Sequence, residues 1–292
     1  MNLKGKFINR SISGMALVSP GMLLILIILV FPLFYTLYIS VHEFNYLKLG
    51  DFIWFRNYIK LFSNPEIMQS IIRTIFLSVA GLALSLTFGL LLALWVNARR
   101  GIYAYIIQMV ALVPWVTSVI VGTLLWKWML DDDLGLLNYL LNLLGLRPIN
   151  FFSNANIAMA TLIFVVSWRT VGYSMVMILA GLKGIQLDII EAGKVDGANQ
   201  WQLLRYIKIP IIKTPLIISS IVLILSNFNN VTVPLVLTGG GPAGATNVVS
   251  LELYRLGFSY SIFGMASALS FIVFIINIIF ITVYMRLVKY DV

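Results

Sequence analysis

The sequence predicts an all-α membrane protein of six transmembrane helices, with both ends on the cytoplasmic side and a short polar helix between the fourth and fifth spans. Three observations carry this reading. Hydrophobic residues make up 60% of the 292-residue chain and charged residues only 11%, far from the roughly 25% charged usage of soluble domains. Apolar runs long enough to cross a bilayer recur at about 16–41, 70–97, 102–130, 156–182, 211–237 and 261–286. The 20 Lys and Arg residues gather at alternate ends of these runs.

Counting those charges sets the orientation. With the N-terminus inside, the inner set is Lys4, Lys6, Arg10, Arg99, Arg100, Lys183, Lys194, Arg205, Lys208, Lys213, Arg286 and Lys289. The outer set is smaller, Lys48, Arg56, Lys60, Arg73, Lys127, Arg147 and Arg255, and the Asp131–Asp133 run falls outside. Arg169 alone lies well inside a span. The net charge of +9 therefore reads as membrane anchoring, and no long basic run points to nucleic acid.

The first span follows a basic head, and its apolar run continues past Phe31 without a small-residue cleavage site, so it reads as uncleaved. Pro20, Pro32, Pro114, Pro210, Pro215 and Pro234 mark kinks or helix starts. The outer segment 134–149 spaces leucines helically with Asn138 and Asn142 on another face, as an interfacial or packing helix would. The whole chain, 1–292, reads as one transmembrane domain, a six-span minimum with nothing left for a soluble domain.

Several chemistries are excluded. There is no cysteine, so no disulfide or thiolate site, and one histidine, His42, builds no metal cluster. No Gly-x4-Gly-Lys-Ser/Thr motif is present to hold ATP. A secondary transporter would carry carboxylates or histidine within its spans, and an embedded enzyme would need a converging acid, base or metal set. The spans offer neither, although Glu43 and Asp51 lie just beyond the first.

The segment EAGKVDGANQWQLLRYIKIP, residues 191–210, is the longest polar stretch on the predicted inner side. Asp188, Glu191, Lys194 and Asp196 suit one short helix with an apolar edge of Ile189, Ile190 and Val195. Gly197 breaks it, Trp201 to Ile207 form a second amphipathic piece, and Pro210 is expected to start the next span. Periodicity alone leaves open whether this is a surface loop or a part gripped by a partner.

The spacing Glu191-Ala192, Gly197, Ile207, Pro210 resembles the EAA loop of binding-protein-dependent ABC importer permeases, Glu-Ala-Ala, three residues, Gly, nine residues, Ile, one residue, Leu-Pro. Gly193 departs from the second Ala, at about 1 kcal/mol of helix propensity, and Ile209 replaces Leu. The resemblance implies that loop 183–210 contains a coupling helix docking on a separate ATPase. Glu191 would be its polar anchor, Ala192 and Gly193 its close-packed face, and Asp196, Gly197, Ala198 and Pro210 further elements of the coupling surface.

The likeness extends to LVPWV, to the stretch from Trp168 to Leu182, and to SNFNNVTVPLVLTGGGPAGATNVVS, which resemble the carbohydrate branch, maltose-type and glycerol-phosphate-type permeases. It implies import of a saccharide, an oligosaccharide neutral or acidic, with a sugar phosphate or glycerol-phosphate compound as the alternative. Asn227, Asn230, Gly172 and Tyr173 would then touch the ligand. Amides donate to and accept from hydroxyls and an aromatic ring stacks on a sugar face, yet buried amides also serve helix packing. Arg169 stands open between contacting an anionic substrate group and bonding carbonyls. The implied partners are a second homologous six-span permease forming a heterodimer, an ATPase dimer that binds ATP and magnesium, an extracytoplasmic solute-binding protein and the lipid bilayer. The implied location is a bacterial-type cytoplasmic membrane, and this chain would hold no cofactor and hydrolyse nothing itself.

Overall fold

The computed structural model describes residues 17–99 and 101–287, so Lys4, Lys6, Arg10, Arg100 and Lys289 lie outside the described residues. The chain divides into two compact units, Met1–Asn64 with Leu253–Ile276 and Pro65–Glu252 with Asn277–Val292. It is mostly helical. Four helices are long and apolar enough to cross a membrane, or up to six spans if each of two bent helix pairs counts as one.

In the first unit, α1 (Leu17–Ser40) is apolar on every face and its most apolar window is wholly uncovered. A π-turn at Leu26–Val30 precedes Pro32, a widening that accommodates a proline without its N–H. A hairpin of β1 (His42–Asn45) and β2 (Lys48–Phe52) follows. Its turn residues Tyr46 and Leu47 both have positive φ, the twist that tight hairpins require. From α2 (Arg56–Phe62), the buried Asn57 Nδ2 donates to the carbonyls of Ser40 at 2.9 Å and His42 at 3.0 Å. The His42 ring sits between Tyr38 and Phe52 with Nδ1 2.8 Å from the Tyr38 carbonyl, a packing role for the lone histidine.

The second unit is built on α3 (Pro65–Asn97), with α4 (Ile102–Val116), α5 (Val119–Met129), α6 (Leu136–Leu143) and α7 (Ala155–Lys183) following. Helices α3 and α7 lie against each other along most of their length. The seam on α3 is a row of small residues, Thr74, Ser78, Gly81, Ser85 and Gly89, all buried. Small side chains let backbones approach where lipid offers no hydrophobic drive for association. A Cβ on Gly89 would lie 2.5 Å from that of Ser174 on α7. The Ser85 and Thr170 hydroxyls meet across the seam at 2.6 Å.

Two expected spans are interrupted. The run 102–130 is not one rod but α4 and α5, bent by 97° at Thr117–Ser118. The run 211–237 becomes α10 (Lys213–Phe228) and α11 (Thr232–Leu237), separated at Asn229–Val231. Before it stand α8 (Leu187–Val195) and α9 (Gln200–Ile211), the latter bent 69° from α10. Pro210 therefore closes α9 instead of opening the next span. The π-turn at Leu203–Lys208 just before it accommodates the ring, as in α1.

The expected packing helix in 134–149 is α6. Its Asn138 is buried and ties the flanking loops together, donating to the carbonyls of Asp132 at 3.0 Å and Ile149 at 2.9 Å and accepting from the Ile149 N–H at 2.8 Å. The Gly-rich run turns through positive φ at Gly239, Gly240, Ala243 and Gly244, and Thr246 Oγ1 closes it onto the Gly241 carbonyl at 2.6 Å. Beyond it come α12 (Val249–Tyr254) and the long apolar α13 (Phe263–Leu287).

Candidate functional site

The two span breaks meet at one cavity of about 230 Å3. Its wall takes Trp115 and Val119 from either side of the α4–α5 break, Arg169 and Thr170 from α7, and Asn227, Asn229, Asn230 and Thr232 from the α10–α11 break. Irregular backbone is tolerated at membrane depth where protein or a cavity satisfies it. Here side chains do so. Arg169 Nη1 donates to the Thr117 carbonyl at 3.3 Å, and Asn230 Oδ1 accepts from the Val233 N–H at the head of α11 at 3.0 Å. Asn229 Nδ2 donates to the Leu225 carbonyl at 2.8 Å. Asn227 is only 2% exposed, and its Nδ2 has no hydrogen-bond partner.

Of the residues expected at a ligand, Arg169, Asn227 and Asn230 are thus brought together. Gly172 and Tyr173 are not in the wall. Gly172 is a packing position, since a Cβ there would fall onto the Ala111 carbonyl. Tyr173 stacks on Trp115 with ring centroids 4.7 Å apart and so buttresses a wall residue. Trp115, Thr170 and Asn229 were missed as candidates. The visible signals for two of them were the LVPWV motif for Trp115 and the middle residue of FNN for Asn229.

A larger groove of about 550 Å3 lies between α3, α4 and α7, lined by apolar residues such as Leu84, Phe88, Pro114 and Trp168. Its one hydroxyl, Ser167, is already bonded to the Ile163 carbonyl at 2.7 Å. It offers no polar recognition.

At α8 the chain ends its helix in a motif that needs glycine. Gly197 has φ +83°, its N–H bonds to the Lys194 carbonyl at 3.0 Å, and the Ala198 N–H reaches back to Gly193 at 3.0 Å, the paired bonds of a Schellman stop. Asn199 and Gln202 then form a reciprocal capping box that opens α9. Gly193 does not stand on the outward face expected of it. It is buried, and an added Cβ would lie 2.6 Å from Ile207 and 2.9 Å from Leu203, so the glycine lets α8 fold down on α9. Of the expected apolar edge, Val195 (86% exposed) and Ile189 face outward while Ile190 is half-buried, and Glu191, Ala192, Trp201 and Tyr206 are also exposed. Asp196, Gly197 and Ala198 line a notch of about 240 Å3 with Gln202 and Tyr206.

A polar cavity held at two broken apolar helices, with a capped helix pair presenting bare side chains, defines a membrane transport component. Residues 85–290 match the family described as binding-protein-dependent transport system inner membrane component, and the chain belongs to that family, as a non-enzymatic, multi-pass inner membrane subunit of an ABC transporter. Its sequence is 29% identical over 294 residues to the trehalose/maltose transport system permease protein MalF of Thermococcus litoralis, covering 99% of this chain and 98% of that one. It is 28% identical over 276 residues to the sulfoquinovosyl glycerol transport system permease protein SmoG of Agrobacterium fabrum, covering 94% and 89%. The fold matches a chain of the bacterial alginate ABC transporter crystallised with an alginate pentasaccharide-bound periplasmic protein, with TM-score 0.84, 23% identity and coverage of 98% and 99%.

Proposed function

We propose that this chain is the permease subunit of an ATP-driven, binding-protein-dependent saccharide importer, with six spans, both termini cytoplasmic, and half of the translocation pathway. The observation that carries the reading is the cavity at the two span breaks. Trp115 offers a flat face for a sugar ring, and Asn227, Asn229 and Asn230 offer amides for its hydroxyls. The names of the trehalose/maltose and sulfoquinovosyl glycerol relatives support the sugar class. A homologous second permease would complete the pathway, and a soluble or anchored binding protein would deliver the sugar.

Energy would come from a separate ATPase pair carrying ATP and magnesium. The exposed face of α8 and α9, with Glu191, Ala192, Val195, Trp201 and Tyr206, would dock on it, while the notch at Asp196, Gly197 and Ala198 would receive one of its side chains. The Gly197 stop and the bend after Pro210 give α8 and α9 a defined angle to α10, through which rigid-body motion of the ATPases could pass.

The test is reconstitution of the chain with its partner permease, ATPase and binding protein in proteoliposomes. ATPase activity is expected to rise when the binding protein is loaded with saccharide and not when it is offered amino acids; equal rates under both conditions would sink the proposal. Orientation has its own check, because the native chain contains no cysteine. A membrane-impermeant maleimide on intact cells should label Leu134→Cys, whose parent is 85% exposed, and should reach Val195→Cys only after permeabilisation.

A further inference from the structure

We infer that the cavity reads a single negative charge on its saccharide, and that Arg169 is the residue that discriminates carboxylated from neutral sugars. The inference rests on the saccharide reading above. It starts from a cation in the cavity wall whose donors are mostly unspent. Arg169 is a cation within a span, where charge is costly and functional by default, and no carboxylate of the described residues is paired with it. Its bond to the Thr117 carbonyl is long, at 3.3 Å, and engages one N–H of a guanidinium that has five.

The amides add donors in the same cavity. Asn229 and Asn230 place amide groups in the wall beside Arg169, whereas the unpartnered Asn227 Nδ2 is turned toward Gly81 on α3. Two of the wall's amide oxygens are already engaged. Asn230 Oδ1 already accepts from Val233, and Asn229 Oδ1 accepts from Asn277 at 3.4 Å. A neutral hydroxyl donates as well as accepts, whereas a carboxylate only accepts and matches the planar guanidinium fork.

The charge count selects the kind of anion. Arg169 is the one basic residue in the wall, which balances a monoanion such as a uronate and leaves a phosphate monoester, at about −1.5 to −2, under-compensated. On arrival the carboxylate replaces the Thr117 carbonyl as the acceptor of Arg169, so occupancy is felt at the elbow of the broken span.

The experiment measures uptake into proteoliposomes of the full transporter with three probes: an oligouronate, the same oligosaccharide with its carboxyls reduced to alcohols, and a sugar phosphate. The wild type is expected to favour the oligouronate, and Arg169→Met to lower the ratio of oligouronate to reduced-sugar uptake about tenfold or more, the scale of a lost charge-assisted bond. A merely structural arginine would depress both sugars together and leave the ratio unmoved, which overturns the proposal. Preference for the sugar phosphate overturns it as well. Uptake of none of the three removes the saccharide reading itself, a distinct failure. If Arg169→Met does not insert, Arg169→Lys decides by the same ratio, because it keeps the charge but loses the planar fork: a fall in the oligouronate ratio supports the proposal and an unchanged ratio overturns it.

Discussion

Gly172→Ala is expected to lower the thermal midpoint of the purified protein by roughly 5–10 °C, or about 3 kcal/mol. The added methyl would overlap the Ala111 carbonyl oxygen and come within 3.1 Å of the Leu112 Cα. Both are backbone atoms, so no side chain can rotate aside, and α4 must move away from α7. That shift would carry Trp115, four residues on from Ala111, out of the cavity wall. Gly21→Ala is the matched control, because nothing lies within 4 Å of its Cβ position, and its midpoint should hold or rise by about 2–3 °C from the gain in helix propensity. A normal midpoint for Gly172→Ala, read by intrinsic fluorescence in detergent, would mean that α4 and α7 do not approach this closely.

Glu191→Ala is expected to reduce transport at least tenfold while leaving the thermal midpoint where it was. The carboxylate is exposed and makes no hydrogen bond or ion pair with the described residues, so the chain loses nothing in stability. The loss falls on the docked state, where deleting one partner of a buried charge pair costs about 2–5 kcal/mol. Gly197→Ala should act differently. It strains the left-handed position that ends α8 by about 1–2 kcal/mol and alters the angle between α8 and α9, so uptake and midpoint should fall together. Uptake in the reconstituted complex beside detergent melting separates the two effects, and full uptake by Glu191→Ala would rule out the residue as an anchor.

The membrane character and the polar hinge were legible in the sequence because each rests on local, one-dimensional signals. Apolar runs report spans by length, and the Glu191 to Pro210 spacing reports a helix, a glycine stop and a second helix whatever the rest of the chain does. Pro114 and the FNN stretch hinted at irregularity. They did not reveal that the runs 102–130 and 211–237 are each broken, because a hydropathy run sums over a bend as readily as over a straight rod.

The same limit explains the misplaced glycines. Gly172 and Gly193 were expected at contacts because of the motif positions they occupy, and a motif position does not report which way a helical face turns. Only the packed helices decide that Gly172 faces the Ala111 backbone and Gly193 faces Ile207 and Leu203, since which way a helical face turns depends on its neighbours. The sequence alone determined that this chain lives in a bilayer, lacks a Gly-x4-Gly-Lys-Ser/Thr motif and carries a polar helix, a glycine stop and a second helix between spans. The tertiary structure decided that Arg169, Asn227 and Trp115, distant in the chain, share one cavity, because the breaks at Thr117–Ser118 and Asn229–Val231 come together against α7.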